Sequence, residues 1–294
     1  MEGAAVLTFH GLCQDGRSTG VLDASLHLPV SVFRAVCRHL RASYQVMPLL
    51  EMTQAVLAGR SLPSRAVAIS FDDGLASNYH LGFPVLREMG LPATIFLATG
   101  FLDGTHPLWF QEVDRALKAR GADAAELGLC LAQLKTLPDA VMRGEVRKLV
   151  EGCTREEAET ARPMSWEQAR EMQASGLVHL GGHTHTHPIL SRCPVEQQAE
   201  EIRLCRDRMT EELGRAPRLF AYTNGGPDDF TAQTQELLAA QGFEAAFTMM
   251  PARLAAGLPP HALPRYGNPT SVLEAEATAS GAFELVKQWR GGGR

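Results

Sequence analysis

Long runs of one charge are missing from this chain of 294 residues. Its 28 Lys and Arg are scattered among 33 Asp and Glu, for a net charge of -5. No basic footprint is left for a phosphate backbone, so nucleic acid is not an expected partner. No run approaches the roughly 18 apolar residues of a spanning helix, so no transmembrane segment is expected. The N-terminal MEGAAVLTFHGL lacks the basic region of a signal peptide, and a cytoplasmic location is the expectation. The 6 cysteines never form a CxxC pair, which argues against a thiolate zinc site and against a disulfide framework. What remains is 45% hydrophobic and 21% charged, ordinary for a globular chain with one large core.

One stretch of that chain concentrates chemistry. Val67 to Gly74, VAISFDDG, reads as a buried strand that delivers two adjacent acids to its C-terminal rim, where polar groups cost less than in the core. Neighbouring side chains on an extended chain point opposite ways, so Asp72 and Asp73 divide labour if the backbone turns between them. Gly74 permits that turn. One carboxylate would bind something fixed, most simply a metal ion, while the other acts on a water or substrate proton. A strand that merely ends in DDG is the competing reading.

Around this stretch the chain alternates strand and helix. Ala4 to Phe9 reads as a first strand with His10 at its rim, where the imidazole could meet a ligand or cap the strand. Pro29 to Tyr44, Met47 to Gly59 and Asn78 to Met89 have helical period, and Ala93 to Ala98 is a strand apolar but for Thr94. Such repeats predict an α/β fold. Residues 101–165 contain no strand-like run and read as two or three inserted helices, with His106, Trp109 and Phe110 anchoring them or walling a site. Further strands are expected at Val178 to Leu180, Arg218 to Tyr222 and Phe243 to Met249. Helices are expected at Val195 to Leu213, Gln235 to Gln241 and Leu273 to Trp289. Rim residues after several strands point to a closed or nearly closed barrel whose ligands gather at the strands' C-terminal ends.

A second informative stretch is Leu177 to Pro188, LVHLGGHTHTHP. Fully extended, it would place His183, His185 and His187 on one face as a three-histidine metal site. With a turn after His183, the i, i+4 pair His183 and His187 meets and His185 points away. Imidazole combined with carboxylate suits zinc and other late divalent ions; a surface histidine cluster is the alternative. Downstream, RLFAY breaks into Thr223, Asn224, Gly225 and Gly226, a turn able to expose backbone N–H groups.

Three motifs in order carry a family resemblance. ISFDDG resembles TFDDG, GGHTHTHP resembles HTxxHP, and FAYTNG resembles the FAYPxG form of a third motif. On these the chain is identified as similar to the polysaccharide deacetylase superfamily, the NodB-homology or carbohydrate esterase family 4 group, from His10 through Arg265. The resemblance implies a distorted (β/α)7-type barrel, one domain over 1–294 with the helical segment 101–165 inserted. It also implies a divalent metal ion, most simply Zn2+, held by Asp73, His183 and His187, with Asp72 as catalytic base and Thr184 orienting the loop. It disfavours the three-histidine reading. A backbone N–H near Asn224 would hold the oxyanion, with Thr223 and Trp109 toward the substrate.

The chain also departs from the best-known branch of that family. Ala221 stands where the branch has arginine and Thr223 where it has proline, and the Asp-Trp motif supporting a C-terminal histidine has no counterpart. Arg265, in LPRYGN, resembles an arginine of FAYPxG-type members and could hold the site in compensation. His10 is the first candidate for a substrate or acid role, and His261 the second. The implied reaction is hydrolysis of an N-acetyl group on an amino sugar of a glycan or glycoconjugate precursor, in cell-surface polysaccharide synthesis. Hydrolysis of an O-acetyl ester or another amide, and non-catalytic glycan binding, are the competing readings. The intact set Asp72, Asp73, His183 and His187 argues against the binder.

Overall fold

The computed structural model describes residues 3–153 and 158–282. β1 (Ala5–Phe9) is followed by two short strands that pair with each other, β2 (Gly11–Cys13) and β3 (His27–Pro29), and by β4 (Gln45–Val46). β5 (Ala66–Phe71), β6 (Ala93–Leu97), β7 (Val178–Gly182), β8 (Leu219–Ala221) and β9 (Ala245–Phe247) complete the main sheet. Its pairings are all parallel, in the order β1-β5-β6-β7-β8-β9, with β4 also on β5. The segment Leu263–Tyr266 joins the two edges. Leu263 exchanges backbone hydrogen bonds with Ala246 and Thr248, and Tyr266 with Val6 and Thr8. The result is a distorted α/β barrel.

Alternation along the strands sorts two apolar layers. Ala4, Val6, Ala66, Ala68, Phe96, Leu219, Ala221, Ala245 and Phe247 fill the inside, where small side chains leave a narrow interior. Ala5, Leu7, Phe9, Val67, Ile69 and Phe71 face outward and are covered by helices. α1 (Val30–Ser43) buries Phe33, Val36, Cys37 and Leu40 at helical spacing, each large apolar residue contributing about 1.5–3 kcal/mol before entropy. α2 (Leu49–Leu57) and α3 (Phe83–Met89) follow; α3 stops at Gly90, whose φ of 64° favours glycine.

Beyond β6 come the short α4 (Thr99–Leu102) and the three helices α5 (Trp109–Ala119), α6 (Ala124–Leu134) and α7 (Asp139–Val150). The three pack around a core of their own, built from Trp109, Val113, Leu127, Leu134, Met142 and Val146. α8 (Trp166–Ala174) leads into β7, and α9 (Val195–Leu213) links β7 to β8. α10 (Ala232–Ala240) begins earlier than its apolar period suggests, because Thr231 and Thr234 form a capping box. α11 (Val272–Ser280) ends at Gly281, and the remainder of the expected closing helix lies outside the described residues. No described helix is long and apolar enough to cross a membrane.

Gly181 and Gly182 both belong to β7. The reason is packing: a Cβ on Gly181 would fall 2.5 Å from the Phe96 ring, so the bare backbone makes room for an aromatic inside the barrel.

Candidate active site

β5 carries the two acids to the rim, and the backbone reverses at Asp73. Asp72 continues the ladder, its N–H donating to the Phe9 carbonyl at 3.0 Å. Asp73 then takes φ 74° and Gly74 φ 85°. The reversal expected at the glycine therefore begins at Asp73 itself, a left-handed position that Asp tolerates better than most residues. The peptide is fixed in that position, with Gly74 N–H donating to the Asp72 carbonyl at 3.0 Å and Ala98 N–H to the Asp73 carbonyl at 3.3 Å. The two carboxylates consequently face different partners.

Asp73 meets the histidine loop. Its Oδ1 lies 3.5 Å from His183 Nε2 and 3.2 Å from His187 Nε2. One ligand atom from each of the three buried residues falls within 4.8 Å of the others. The loop reaches this geometry by turning, with Thr184 at φ 66° and His187 at φ 58°. Thr184 Oγ1 accepts from the His187 N–H at 3.0 Å, and the Thr99 and Gly100 N–H groups donate to the carbonyls of Thr184 and His185. Glu201, on the buried face of α9, accepts from the N–H of His185 and Thr186 and from the Thr186 hydroxyl. His185 points elsewhere, its Nδ1 hydrogen-bonded with Thr99 Oγ1 and its ring against His106. The three-histidine alternative is thereby excluded.

The donor set fits one divalent ion. His183 Nδ1 donates to the Ala221 carbonyl at 2.8 Å, which orients the ring with Nε2 toward Asp73, where a bound ion would take the Nε2 lone pair. Burial pushes the Asp73 carboxyl up, but the hydrogen bonds of His183 and His187, with the charges of His187 and His10, outweigh it and hold the group well below the usual range. It is a carboxylate ready for a cation.

Asp72 has a different partner, Arg265. The guanidinium is fully buried inside the barrel, 5.1 Å over the Phe96 ring. Its Nη1 and Nη2 donate to Asp72 Oδ1 and Oδ2 at 2.7 and 2.8 Å, a fork-to-fork pair, and Nε donates to the Thr248 carbonyl. Burial raises the Asp72 carboxyl, and attraction to Arg265, followed by that to His183, more than reverses the shift. His10 lies close enough to act electrostatically on both acids; its Nδ1 is buried without a hydrogen-bond partner.

Three other sequence candidates sit differently from expectation. Trp109 is buried in the core of α5–α7, because the helix phase turns it inward with Val113; its neighbour Phe110 packs on His187 at 5.4 Å. Thr223 is buried and donates its hydroxyl to the Pro188 carbonyl, so it ties the third motif to the histidine loop. His261 is hydrogen-bonded with the Phe243 carbonyl. Asn224 is exposed at φ 61°. Sequence reasoning missed Glu201 and His27; the former carries a signal, since it falls in phase with Gln198, Ile202, Cys205 and Met209 on the buried face of α9.

Fold and site together define the class, a metal-dependent hydrolase on a parallel α/β barrel. Residues 59–246 match the family model described as Polysaccharide deacetylase, and the chain belongs to the polysaccharide deacetylase family. A segment of 85 residues is 32% identical to the putative polysaccharide deacetylase YxkH of Bacillus subtilis (strain 168), covering 29% of this chain and 30% of that protein. Among solved structures, IcaB from Ammonifex degensii superposes with a TM-score of 0.66 at 24% identity, covering 95% of this chain and 97% of that one. The Streptococcus pyogenes deacetylase PplD in complex with acetate gives a TM-score of 0.66 at 16% identity, over 94% and 98%. The two structures share its fold.

Proposed function

We propose that this protein is a divalent-metal-dependent deacetylase that removes the acetyl group from an N-acetylated amino sugar in a glycan or glycoconjugate precursor. The observation that carries the reading is the split of the two adjacent acids, Asp73 joined to His183 and His187, Asp72 held apart by Arg265. Simple sugar binding has no need of that division. The likeness to PplD, whose structure contains acetate, supports the acyl group.

Asp73, His183 and His187 would hold the ion, and a two-imidazole, one-carboxylate set favours zinc. When bound, it would supply Lewis acidity to the acyl carbonyl and to an attacking water. Arg265 keeps Asp72 ionised and oriented, yet each carboxylate oxygen retains a second lone pair to accept the water's proton. The Asn224 N–H, presented by the turn after β8, donates to the carbonyl oxygen as negative charge develops there. His10, at the same rim, donates a proton to the departing amine, and the proton that Asp72 took from the water replaces it. Substrate approaches along a groove of about 440 Å3 beside α5, whose walls Val21, Gln111 and Asp114 it shares with a smaller cavity that reaches Asp73.

The test is acetate release by metal-reconstituted protein from oligomeric, nucleotide-linked and lipid-linked N-acetylhexosamines, alongside Asp72→Asn. Release from at least one class that drops by two or more orders of magnitude in the variant is expected. No release from any class, or undiminished release by Asp72→Asn, contradicts the proposal.

A further inference from the structure

One imidazole beside the site belongs neither to the cluster nor to the proposed proton transfers. His27 heads β3 in parallel register with Gly11 of β2 and is 8% exposed. A Cβ on Gly11 would fall 2.2 Å from His27 Nδ1 and 2.7 Å from Cε1, so only glycine allows the ring to lie there. Nδ1 is sealed against that backbone, buried and without a hydrogen-bond partner. Of the two ring nitrogens, only Nδ1 is sealed off in this way. His27 also lines the small cavity that reaches Asp73, with Leu75, Phe110 and Asp114. Its volume of about 20 Å3 accommodates one water-sized group. Burial lowers the pKa of His27 despite the nearby acids, which favours the neutral ring and a single N–H.

We infer that His27 donates its Nε2–H to a single uncharged oxygen that a bound glycan inserts into the cavity beside Asp73, and that Gly11 is the residue that sets the ring in place. The glycan class rests on the deacetylase reading; the donor geometry does not. A backbone-sealed Nδ1 selects the Nε2–H tautomer without any second side chain. This makes His27 a substrate-binding residue contributed by the N-terminal β2–β3 pair, a part of the chain that holds none of the metal ligands.

The test uses the full chain with 15N-labelled histidine, titrated with the same panel of N-acetylhexosamine glycans while acetate is measured in the same samples. The His27 Nε2 resonance is expected to shift on addition of at least one glycan. His27→Leu and Gly11→Ala should each weaken the Kd of that glycan by about 3- to 10-fold, the worth of one neutral hydrogen bond, with metal content unchanged. His27→Gln, which keeps an amide N–H, should recover most of the loss. A panel in which no glycan moves the His27 resonance overturns the inference, as does an unchanged Kd in a folded His27→Leu. Acetate release with a silent His27 sinks this inference alone, whereas a shifted His27 without acetate release sinks the deacetylase reading alone.

Discussion

Replacing Arg265 with methionine removes one half of a fully buried ion pair while keeping much of the side-chain volume. Both oxygens of Asp72 lose their donors at 2.7 and 2.8 Å, and a carboxylate that is 3% exposed is left with burial unopposed. Breaking such a pair from one side costs about 3–5 kcal/mol. At about 2–4 °C per kcal/mol for a protein of somewhat smaller size, the midpoint of thermal unfolding should fall by on the order of 10 °C. The sign of the pH effect follows from the depressed native pKa of Asp72. A carboxylate whose folded pKa lies below its unfolded value stabilises above the unfolded value, about 3.9, and loses that stabilisation as pH falls through the folded one. Without Arg265 the direction reverses, and Asp72 should titrate above the ordinary range. The two charge-assisted hydrogen bonds that favoured the ionised form are gone, and burial then favours the neutral acid. Thermal melts and the acidic limb of kcat/KM, measured across pH for Arg265→Met and for the double variant Arg265→Met, Asp72→Asn, check both effects. The double variant should recover roughly half or more of the lost stability, since no charge remains stranded. A double variant as unstable as the single one, or an acidic limb that stays in place in Arg265→Met, would refute the reasoning.

Glu201→Ala should leave the barrel folded but release the histidine loop, lowering metal affinity by about 10- to 100-fold in competition with a chromophoric chelator. Removal of metal from the wild-type protein should abolish acetate release, and zinc should restore it; activity that persists in chelator with no residual metal contradicts this. His10→Ala should lower kcat by about 10²- to 10⁴-fold with metal stoichiometry intact, as read by turnover and elemental analysis of the same preparation.

How much of this was legible in the residues depends on the distance over which each feature is built. The strand Ala66–Phe71 declares itself through a short apolar run, and the acids at its end follow directly. His183 and His187 were legible as a pair, but their meeting with Asp73 needed the motif resemblance, because the parts lie more than a hundred residues apart. The sequence points to Gly74 for the reversal that begins at Asp73, since a non-glycine residue at positive φ leaves no mark in a sequence. Arg265 stands out by its motif, yet its grip on Asp72 depends on Leu263–Tyr266 closing the barrel, a segment too short and irregular to read as a strand. Trp109 and Phe110 are adjacent, and only the phase of α5 against its neighbours decides which of them faces His187. Thr223 resembled a substrate contact by position in its motif, whereas its hydroxyl is spent on the Pro188 carbonyl. Glu201 was hidden among the charges of a polar helix, although its phase with buried residues was there to be read.

The central claim is that adjacent acids do separate jobs, Asp73 holding the ion and Asp72 moving the proton. It is tested most directly by measuring metal content and acetate release together on wild type, Asp72→Asn and Asp73→Asn. One ion per chain with release is predicted for the wild type, one ion without release for Asp72→Asn, and neither for Asp73→Asn. Loss of the ion from a folded Asp72→Asn, or full metal and full release in Asp73→Asn, would contradict the account.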